Sequence, residues 1–501
     1  MTRTLCLGNN TEDTDQKTRE LAQDCGQIYH GLLSDLDQPV LSEHFKQAGF
    51  YHSSVYDMSW PRLLQLAQQF DKVIMLDQPK VCWSHPNAWL NTIRLIKKLG
   101  PSGVFANAQH IKNVEYWLEL VENNRAFCIH PFIQLHTRYD HTVLCCRSIS
   151  SPVADLDSFQ DFHHDTRYQA IREKLHDGQK ISNCETCYAL ENNNIISDRI
   201  TDTIEWANRL DIHTMDDLQR IKQPAFYDIR PSNKCNLTCR MCGPHNSHLI
   251  EKEYKQIGFL SPGPSPKMHN PRFDMIRYDN LQQVYIAGGE PTVISEVFQW
   301  LDECVALDRT DFAIELNTNG THITPRLKKL LPHFKQFNFV FSVDAYDSLN
   351  TYIRWPTDWN TVIDNLHFLK DKGHAVTLST TISIFNISQL SSLFEFLDKD
   401  FPTMLVHPSL VNDPFYMSPY LFPYSDVVLQ DLERVKQTHT YQNLEFMRTV
   451  IDNFVTYYSQ DLPMNLQKLQ QFFSINDRLD QNRGVRLRDY VPDLDRARQL
   501  L

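Results

Sequence analysis

With 501 residues, 42% of them hydrophobic and 11% aromatic, the chain exceeds what one core organises and is too apolar to stay disordered, so two to four folded units are expected. A net charge of −12, from 61 acidic against 49 basic residues, argues against an extended nucleic-acid groove. No run of about 18 apolar residues occurs and residues 1–10 hold no apolar stretch of signal-peptide length, so a cytoplasmic protein without a membrane span is expected.

Residues 1–115 read as an N-terminal α/β domain of unknown role. Arg3–Leu7 has the composition of a strand, Gly8 opens a turn, and a helix is expected from there to about Leu33. Lys72–Leu76 and Ser102–Ala106 are further strands, and the run from Trp60 to Phe70, with Pro61 in its first turn, has helical spacing. Strand, turn and helix around Gly8 are reminiscent of nucleotide-binding folds. The full glycine fingerprint is absent, and a structural or substrate-docking domain is the favoured reading.

Residues 120–200 hold a cysteine group. Cys128 and the adjacent Cys145 and Cys146 flank two short strands joined by a polar turn, a helix follows around Tyr168, and Cys184 and Cys187 close the segment. Four thiolates suit either a structural zinc ion or an iron–sulfur cluster. Neighbours in a strand face opposite sides, so only one of Cys145 and Cys146 can readily serve. His130, His136, His141, His163 and His164 crowd the same segment, and packing or solvation is the commoner role for any one of them. Cys6, Cys25, Cys82 and Cys304 are isolated and are expected to pack.

From 224 to 410 strand and helix alternate. Strands are expected at 226–231, 283–287, 311–317, 336–343, 375–383 and 403–407, with helices at about 246–256, 294–306, 324–333, 360–371 and 388–398. This pattern predicts an α/β fold with a partial, TIM-like (β/α)6 barrel, whose working residues sit at the C-terminal strand ends. The proline-bearing stretch 257–280 is an irregular loop able to cover the mouth. Residues 411–501 form a helical extension, with runs near 424–437, 441–458 and 463–475.

The chemistry concentrates after the first barrel strand. Cys235, Cys239 and Cys242 are spaced so that three thiolates can take three corners of one iron–sulfur cube and leave one iron open. A closed structural zinc site or a structural cluster calls for a fourth protein ligand. Gly288, Gly289, Glu290 and Pro291 follow one strand, Asn317 and Asn319 the next, and Ser342 and Asp344 share one face of the strand after that. Glycines permit close backbone approach. The guanidinium of Arg354 suits a carboxylate, with a surface ion pair as the alternative. Asn317 and Asn319 line the mouth or only make the turn.

In this order the motifs resemble those of the radical S-adenosylmethionine (SAM) superfamily over residues 224–410. The resemblance implies a 4Fe-4S cluster on Cys235, Cys239 and Cys242 that chelates SAM, reductive cleavage to a 5′-deoxyadenosyl radical, and hydrogen abstraction from substrate. It implies further that the Gly288–Pro291 edge receives the SAM ammonium, that Ser342 and Asp344 bind ribose hydroxyls, and that Met241 touches adenine unless it is only core. Ala345 stands where the family often has glycine.

Hairpin, helix and paired cysteines at 120–200 resemble the auxiliary-cluster modules called twitch or SPASM-like, here placed before the barrel. A Tyr352-Ile353-Arg354…Pro356…Trp359 run resembles proteins of that arrangement. This implies a second 4Fe-4S cluster on Cys128, Cys145, Cys184 and Cys187, with Cys145 preferred over Cys146 by analogy. The implied function is a maturase-like oxidoreductase acting on a peptide or protein side chain, with an electron donor such as flavodoxin or ferredoxin and no nucleic-acid partner. The alternatives are a radical SAM enzyme of a small metabolite or nucleotide, and a non-catalytic metal-binding protein.

Overall fold

The computed structural model describes residues 3–8, 27–32, 52–54, 72–75 and 104–105, and 108–501 apart from 146, 147, 149, 150, 193–196, 266, 267, 403, 412 and 444. Two compact units are present: residues 1–132 with 166–222 and 444–446, and residues 133–165 with 223–443 and 447–501. The expected 120–200 segment is therefore divided between them. Among the described residues no helix is long and apolar enough to cross a membrane.

The first unit holds a five-stranded parallel sheet of β1 (Arg3–Gly8), β2 (Gln27–Leu32), β3 (His52–Ser54), β4 (Lys72–Met75) and β5 (Val104–Phe105), in the order β3-β2-β1-β4-β5. One expectation is corrected here. Gln27–Leu32, expected as the end of a helix running to about Leu33, is a strand, in register with β1 from Arg3↔Gln27 to Gly8↔Leu32, and the rest of that expected helix lies outside the described residues. Pairing with a neighbouring strand overrides the local helical pattern. The helix expected at Trp60–Phe70 lies outside the described residues. The helices Ala108–Asn123 and Asp198–Arg209 pack together in this unit. The Trp117 indole donates to the Ile212 carbonyl at 2.8 Å. Buried Arg199 chelates Glu191 at 2.7 Å through two nitrogens and also reaches the Phe127 carbonyl at 2.8 Å.

The second unit holds a nine-stranded sheet. The hairpin expected between Cys128 and Cys145 is present as β6 (Gln134–Thr137) and β7 (His141–Val143), followed by β8 (Ala154–Asp155). It is not a separate sheet, because β6 lies parallel to the first barrel strand, β9 (Phe226–Ile229), with His136 opposite Asp228. From β9 the sheet continues in parallel through β10 (Gln283–Ile286), β11 (Ala313–Thr318), β12 (Gln336–Ser342), β13 (Val376–Ile382) and β14 (Leu405–Leu410). These are the six expected barrel strands, in sequence order.

Strict alternation produces the two faces. In β13, Val376, Leu378, Thr380 and Ile382 are buried while Thr377, Ser379 and Thr381 are only half-buried. The apolar face meets helices such as Ser295–Ala306 and Leu390–Asp400, which contribute Phe298, Trp300, Leu393 and Phe394 to the core. The polar face lines the inside of an open barrel. Helix starts are marked by side-chain caps, Ser247 bonding Ile250 N–H, Thr324 Leu327 and Asp358 Thr361, as expected for these residue types. A helix at Asp347–Ile353 was not read from the sequence.

The loop expected to cover the mouth is partly pinned. Asn233 N–H donates to the Met268 carbonyl at 3.0 Å, and the Asn270 side chain donates to the Tyr139 carbonyl at 2.8 Å. The helix Leu466–Arg483 ends at Gly484, whose φ of 67° is the left-handed value a helix stop favours. Its Arg483 bonds Glu253 at 2.6 and 2.8 Å and the Thr238 carbonyl at 2.6 Å. Burial alone would raise the Glu253 carboxyl; the Arg483 bonds outweigh it and hold the group below the usual range. A depressed carboxyl stabilises the fold above its unfolded pKa and loses that contribution as pH falls through the folded one. Glu253→Gln should therefore lower the melting temperature at neutral pH, with the gap to wild type closing below about pH 4.

Candidate active site

The three-cysteine loop leaves β9 through Arg230–Lys234 and is held on several sides. The Asn233 side chain donates to the Pro244 carbonyl at 2.9 Å, and Ser247 Oγ to the Leu237 carbonyl at 2.8 Å. Thr238 N–H donates to the Trp355 carbonyl at 2.6 Å and Arg240 N–H to the Ile353 carbonyl at 2.8 Å. These two bonds bracket Cys239 on one segment and Arg354 on the other. They explain why Arg354 Nη1 stands 4.0 Å from Cys239 Sγ. Arg354 Nε also donates to Asp344 Oδ2 at 2.7 Å, and Asp344 Oδ1 accepts from Thr381 N–H at 2.8 Å. Burial would lower the Arg354 guanidinium, but the Asp344 carboxylate and the Cys239 sulfur more than offset it and keep it charged.

A cavity of about 330 Å³ opens between these groups, lined by Cys239, Met241, Cys242, Asp344, Arg354, Thr381, Leu410, Val411 and Asp413. It brings together five residues marked in the sequence: Cys239, Cys242, Met241, Asp344 and Arg354. Thr381, Leu410, Val411 and Asp413 were missed, since each ends or follows a strand with no motif around it. Cys239 and Cys242 share a hydrogen bond that draws the Cys239 thiol down and the Cys242 thiol up. Burial, followed by the nearby Cys239, pushes Cys235 up to about 12. Among the described residues no group of three or more His, Cys, Asp or Glu is placed to hold a single ion. A 4Fe-4S cluster takes each thiolate on a different iron, so donor chemistry is the relevant test. Three buried or half-buried cysteines on one loop, with a guanidinium to balance thiolate charge, fit that group.

The other marked residues fall elsewhere. Gly288 and Gly289 meet the cysteine loop: Gly289 N–H donates to the Ser232 carbonyl at 2.8 Å and Glu290 N–H to the Lys234 carbonyl at 2.8 Å. The close approach that the structure shows for these glycines is backbone on backbone. Pro291 starts the single turn Pro291–Val293.

The Glu290 carboxylate is buried and engaged internally. It accepts from Thr292 Oγ1 at 2.6 Å, Thr292 N–H at 3.1 Å, Thr318 Oγ1 at 2.8 Å and Asn319 N–H at 2.7 Å. Burial, its largest influence, raises its carboxyl despite these donors. Its side chain thus ties the end of β10 to the end of β11. Glu290→Gln, which offers a donor where acceptors are needed, should cost about 1–3 kcal/mol by urea unfolding.

Asn317 donates to Tyr285 Oη at 2.8 Å and accepts from Ser342 Oγ at 3.2 Å, a chain across the inner face of the barrel. In the first unit, Cys184 ends the turn Ser182–Cys184 and Cys187 lies in the helix Glu185–Asn192. Burial and then the Cys187 sulfur push the Cys184 thiol up to about 11, so these two are neighbours. Cys128 belongs to the same unit, and Cys145 follows β7 in the other. Cys146 lies outside the described residues.

A family model described as the radical SAM superfamily matches residues 229–397. This chain carries a radical SAM domain. The match begins at the end of β9 and contains the cysteine loop, the Gly288–Pro291 turn, Asp344 and Arg354.

Similar solved structures include native anSMEcpe with bound AdoMet, 20% identical over 46% of this chain and 62% of that one, with a TM-score of 0.29. Streptococcus suis SuiB bound to S-adenosylmethionine is 19% identical over 60% of this chain and 61% of that one, with a TM-score of 0.32. The cobalamin-dependent S-adenosylmethionine radical enzyme OxsB with aqua-cobalamin bound is 12% identical over 92% and 62%, with a TM-score of 0.26. The chain spans about three-fifths of the length of each, and superpositions this loose carry no residue-by-residue comparison. A comparison with curated proteins found no match.

Proposed function

We propose that this chain is a radical SAM enzyme holding a 4Fe-4S cluster on Cys235, Cys239 and Cys242. The observation that carries the reading is the cavity in which Cys239, Cys242, Asp344 and Arg354 meet, inside the matched domain. When bound, the cluster supplies the electron that cleaves SAM to a 5′-deoxyadenosyl radical, which takes hydrogen from substrate. The chain's own residues supply binding and exclusion. Arg354, held by Asp344, presents its remaining N–H groups for the SAM carboxylate, with Asp344 and the Thr381 strand end beside it. Met241, Leu410 and Val411 offer apolar wall for the adenine and shut water from the reacting atoms.

The substrate class is a peptide or protein side chain, and flavodoxin or ferredoxin would supply electrons. Cys128, Cys184 and Cys187 of the first unit would take part in holding an auxiliary 4Fe-4S cluster that accepts an electron from the substrate radical or anchors the substrate. One observation favours a second reading, a small metabolite or nucleotide. The order β3-β2-β1-β4-β5 places a topological switch between β1 and β4, where open parallel sheets receive such ligands.

Iron and sulfide content after anaerobic reconstitution tests the cluster assignment, with the Cys235/Cys239/Cys242→Ala triple variant alongside. About eight irons falling to about four supports two clusters, and about four falling to none leaves a single radical-generating site. Mass spectrometry then separates the substrate classes: candidate peptides left unchanged while a small metabolite is consumed would reject the peptide reading.

A further inference from the structure

Just beyond the paired ends of β6 and β9, two arginines stand opposite each other. Thr137 is in register with Ile229, and Arg230 N–H donates to the Thr137 carbonyl at 3.0 Å, so Arg138 faces Arg230 across the ladder. One pair earlier on the same face, His136 Nδ1 lies 3.3 Å from Asp228 Oδ2. Asp228 is already committed, receiving Arg230 Nε at 2.8 Å and Nη2 at 3.1 Å. His136 adds no compensating charge and no charge of its own, because complete burial lowers it to about 3 and keeps it neutral.

Arg138 is only 6% exposed, and among the described residues no carboxylate lies within ion-pair distance of it. Its guanidinium sits beside Tyr139, 5.7 Å from the ring centroid, and the Tyr139 hydroxyl donates to the His245 carbonyl. Like charges directly opposite on neighbouring strands destabilise a sheet, and a buried cation that shares the Asp228 charge with Arg230 and is otherwise held only by the Tyr139 hydroxyl, with no carboxylate of its own, is costly. The position is the working end of the barrel: Cys235 follows Arg230 by five residues. His245, which the Tyr139 hydroxyl reaches, feels the charges of both Arg138 and the cavity-lining Asp413.

We propose that Arg138 and Arg230 form a receptor for an oxyanion of the substrate, a carboxylate or a phosphate, at the C-terminal mouth of the barrel sheet. Assigning the anion to substrate rests on the enzymatic reading above; the pair itself does not. A forked guanidinium matches such oxyanions bidentately, and a second one beside it raises the local potential. This end of the sheet would select substrates that carry an acidic group near the hydrogen to be removed.

The test is thermal melting of the reconstituted full chain with SAM present, so that Arg354 is occupied. Inorganic phosphate or glutarate is added at tens of millimolar, against sodium chloride at matched ionic strength. Wild type should gain about 2–4 °C from at least one of them beyond chloride. Glutarate alone acting points to an acidic peptide, and phosphate alone to a phosphorylated substrate. Arg138→Leu should lose the gain and melt no lower than wild type in chloride, since a repelled buried charge is removed. Arg138→Lys, which keeps the charge, should retain part of the gain. No gain in wild type, an undiminished gain in Arg138→Leu, or an Arg138→Leu chain melting well below wild type in chloride would each overturn the proposal. Stabilisation by SAM itself reports separately on the enzymatic reading, so the two can fail independently.

Discussion

Replacing Arg240 by Met should lower the stability of the chain by about 3–5 kcal/mol in urea unfolding and strip from the reconstituted protein most of the iron that Cys235, Cys239 and Cys242 hold. Arg240 lies between Cys239 and Met241 and is fully buried. Its Nε donates to the Tyr352 carbonyl at 2.8 Å, Nη1 to Asn476 Oδ1 at 2.7 Å and Nη2 to Asp480 Oδ1 at 2.7 Å, and the guanidinium lies 3.6 Å over the Tyr352 ring. Asp480 in turn accepts from Tyr352 Oη at 2.9 Å and from Leu487 N–H at 2.7 Å. Removing the cation leaves a buried carboxylate uncompensated, which costs more than the pair's net worth. Met is close in length, so the loss is electrostatic rather than a cavity. Because the same network fixes the backbone between two cluster ligands, iron retention and stability should fall together. Adding Asp480→Asn to Arg240→Met should recover part of the stability, since the stranded charge is then gone. If Arg240→Met kept its iron and its urea midpoint, the C-terminal helix would have no part in holding the cysteine loop.

Gly289→Ala is expected to be the most damaging single methyl group in the barrel. A Cβ there would stand 2.1 Å from the Lys234 carbonyl oxygen and 2.5 Å from its carbonyl carbon, both backbone atoms with no side chain to swing aside. The bonds from Gly289 N–H to Ser232 and from Glu290 N–H to Lys234 hold the two segments at that distance. One of them must move, and the segment that moves most easily is the approach to Cys235. Overpacking of this kind costs about 1–3 kcal/mol, occasionally more. The expected result is a chain with unchanged far-ultraviolet circular dichroism but at least a tenfold weaker hold on SAM by equilibrium binding. Full SAM affinity in Gly289→Ala would show that the turn and the cysteine loop are not coupled.

The barrel strands are legible where alternation is strict, as in β10, β12 and β13: in β10, Val284 and Ile286 are buried while Gln283 and Tyr285 are half-buried. The placing of the cysteine loop and Asp344 at one end was also legible, since each follows a strand, whereas Arg354 reaches them from the end of the helix Asp347–Ile353. What the sequence hid was partnership. Nothing around Arg240 announces a bond to Asp480, 240 residues away, nor does Glu290 announce that Thr318 and Asn319 take up its oxygens. The glycines signal close approach but not what approaches. Gln27–Leu32 reads as helix until β1 is laid beside it, and Gln134–Thr137 reads as half of an isolated hairpin until β9 provides a parallel neighbour. In each case long-range pairing outweighs local preference.

The most direct measurement is release of 5′-deoxyadenosine from SAM by the anaerobically reconstituted chain under dithionite, for wild type and for Cys239→Ala. Radical SAM chemistry at the Cys235–Cys242 loop predicts 5′-deoxyadenosine from the wild type and none above background from the variant. Reconstituted wild type that binds SAM and iron but releases no 5′-deoxyadenosine, or a Cys239→Ala chain that releases as much as wild type, would contradict it.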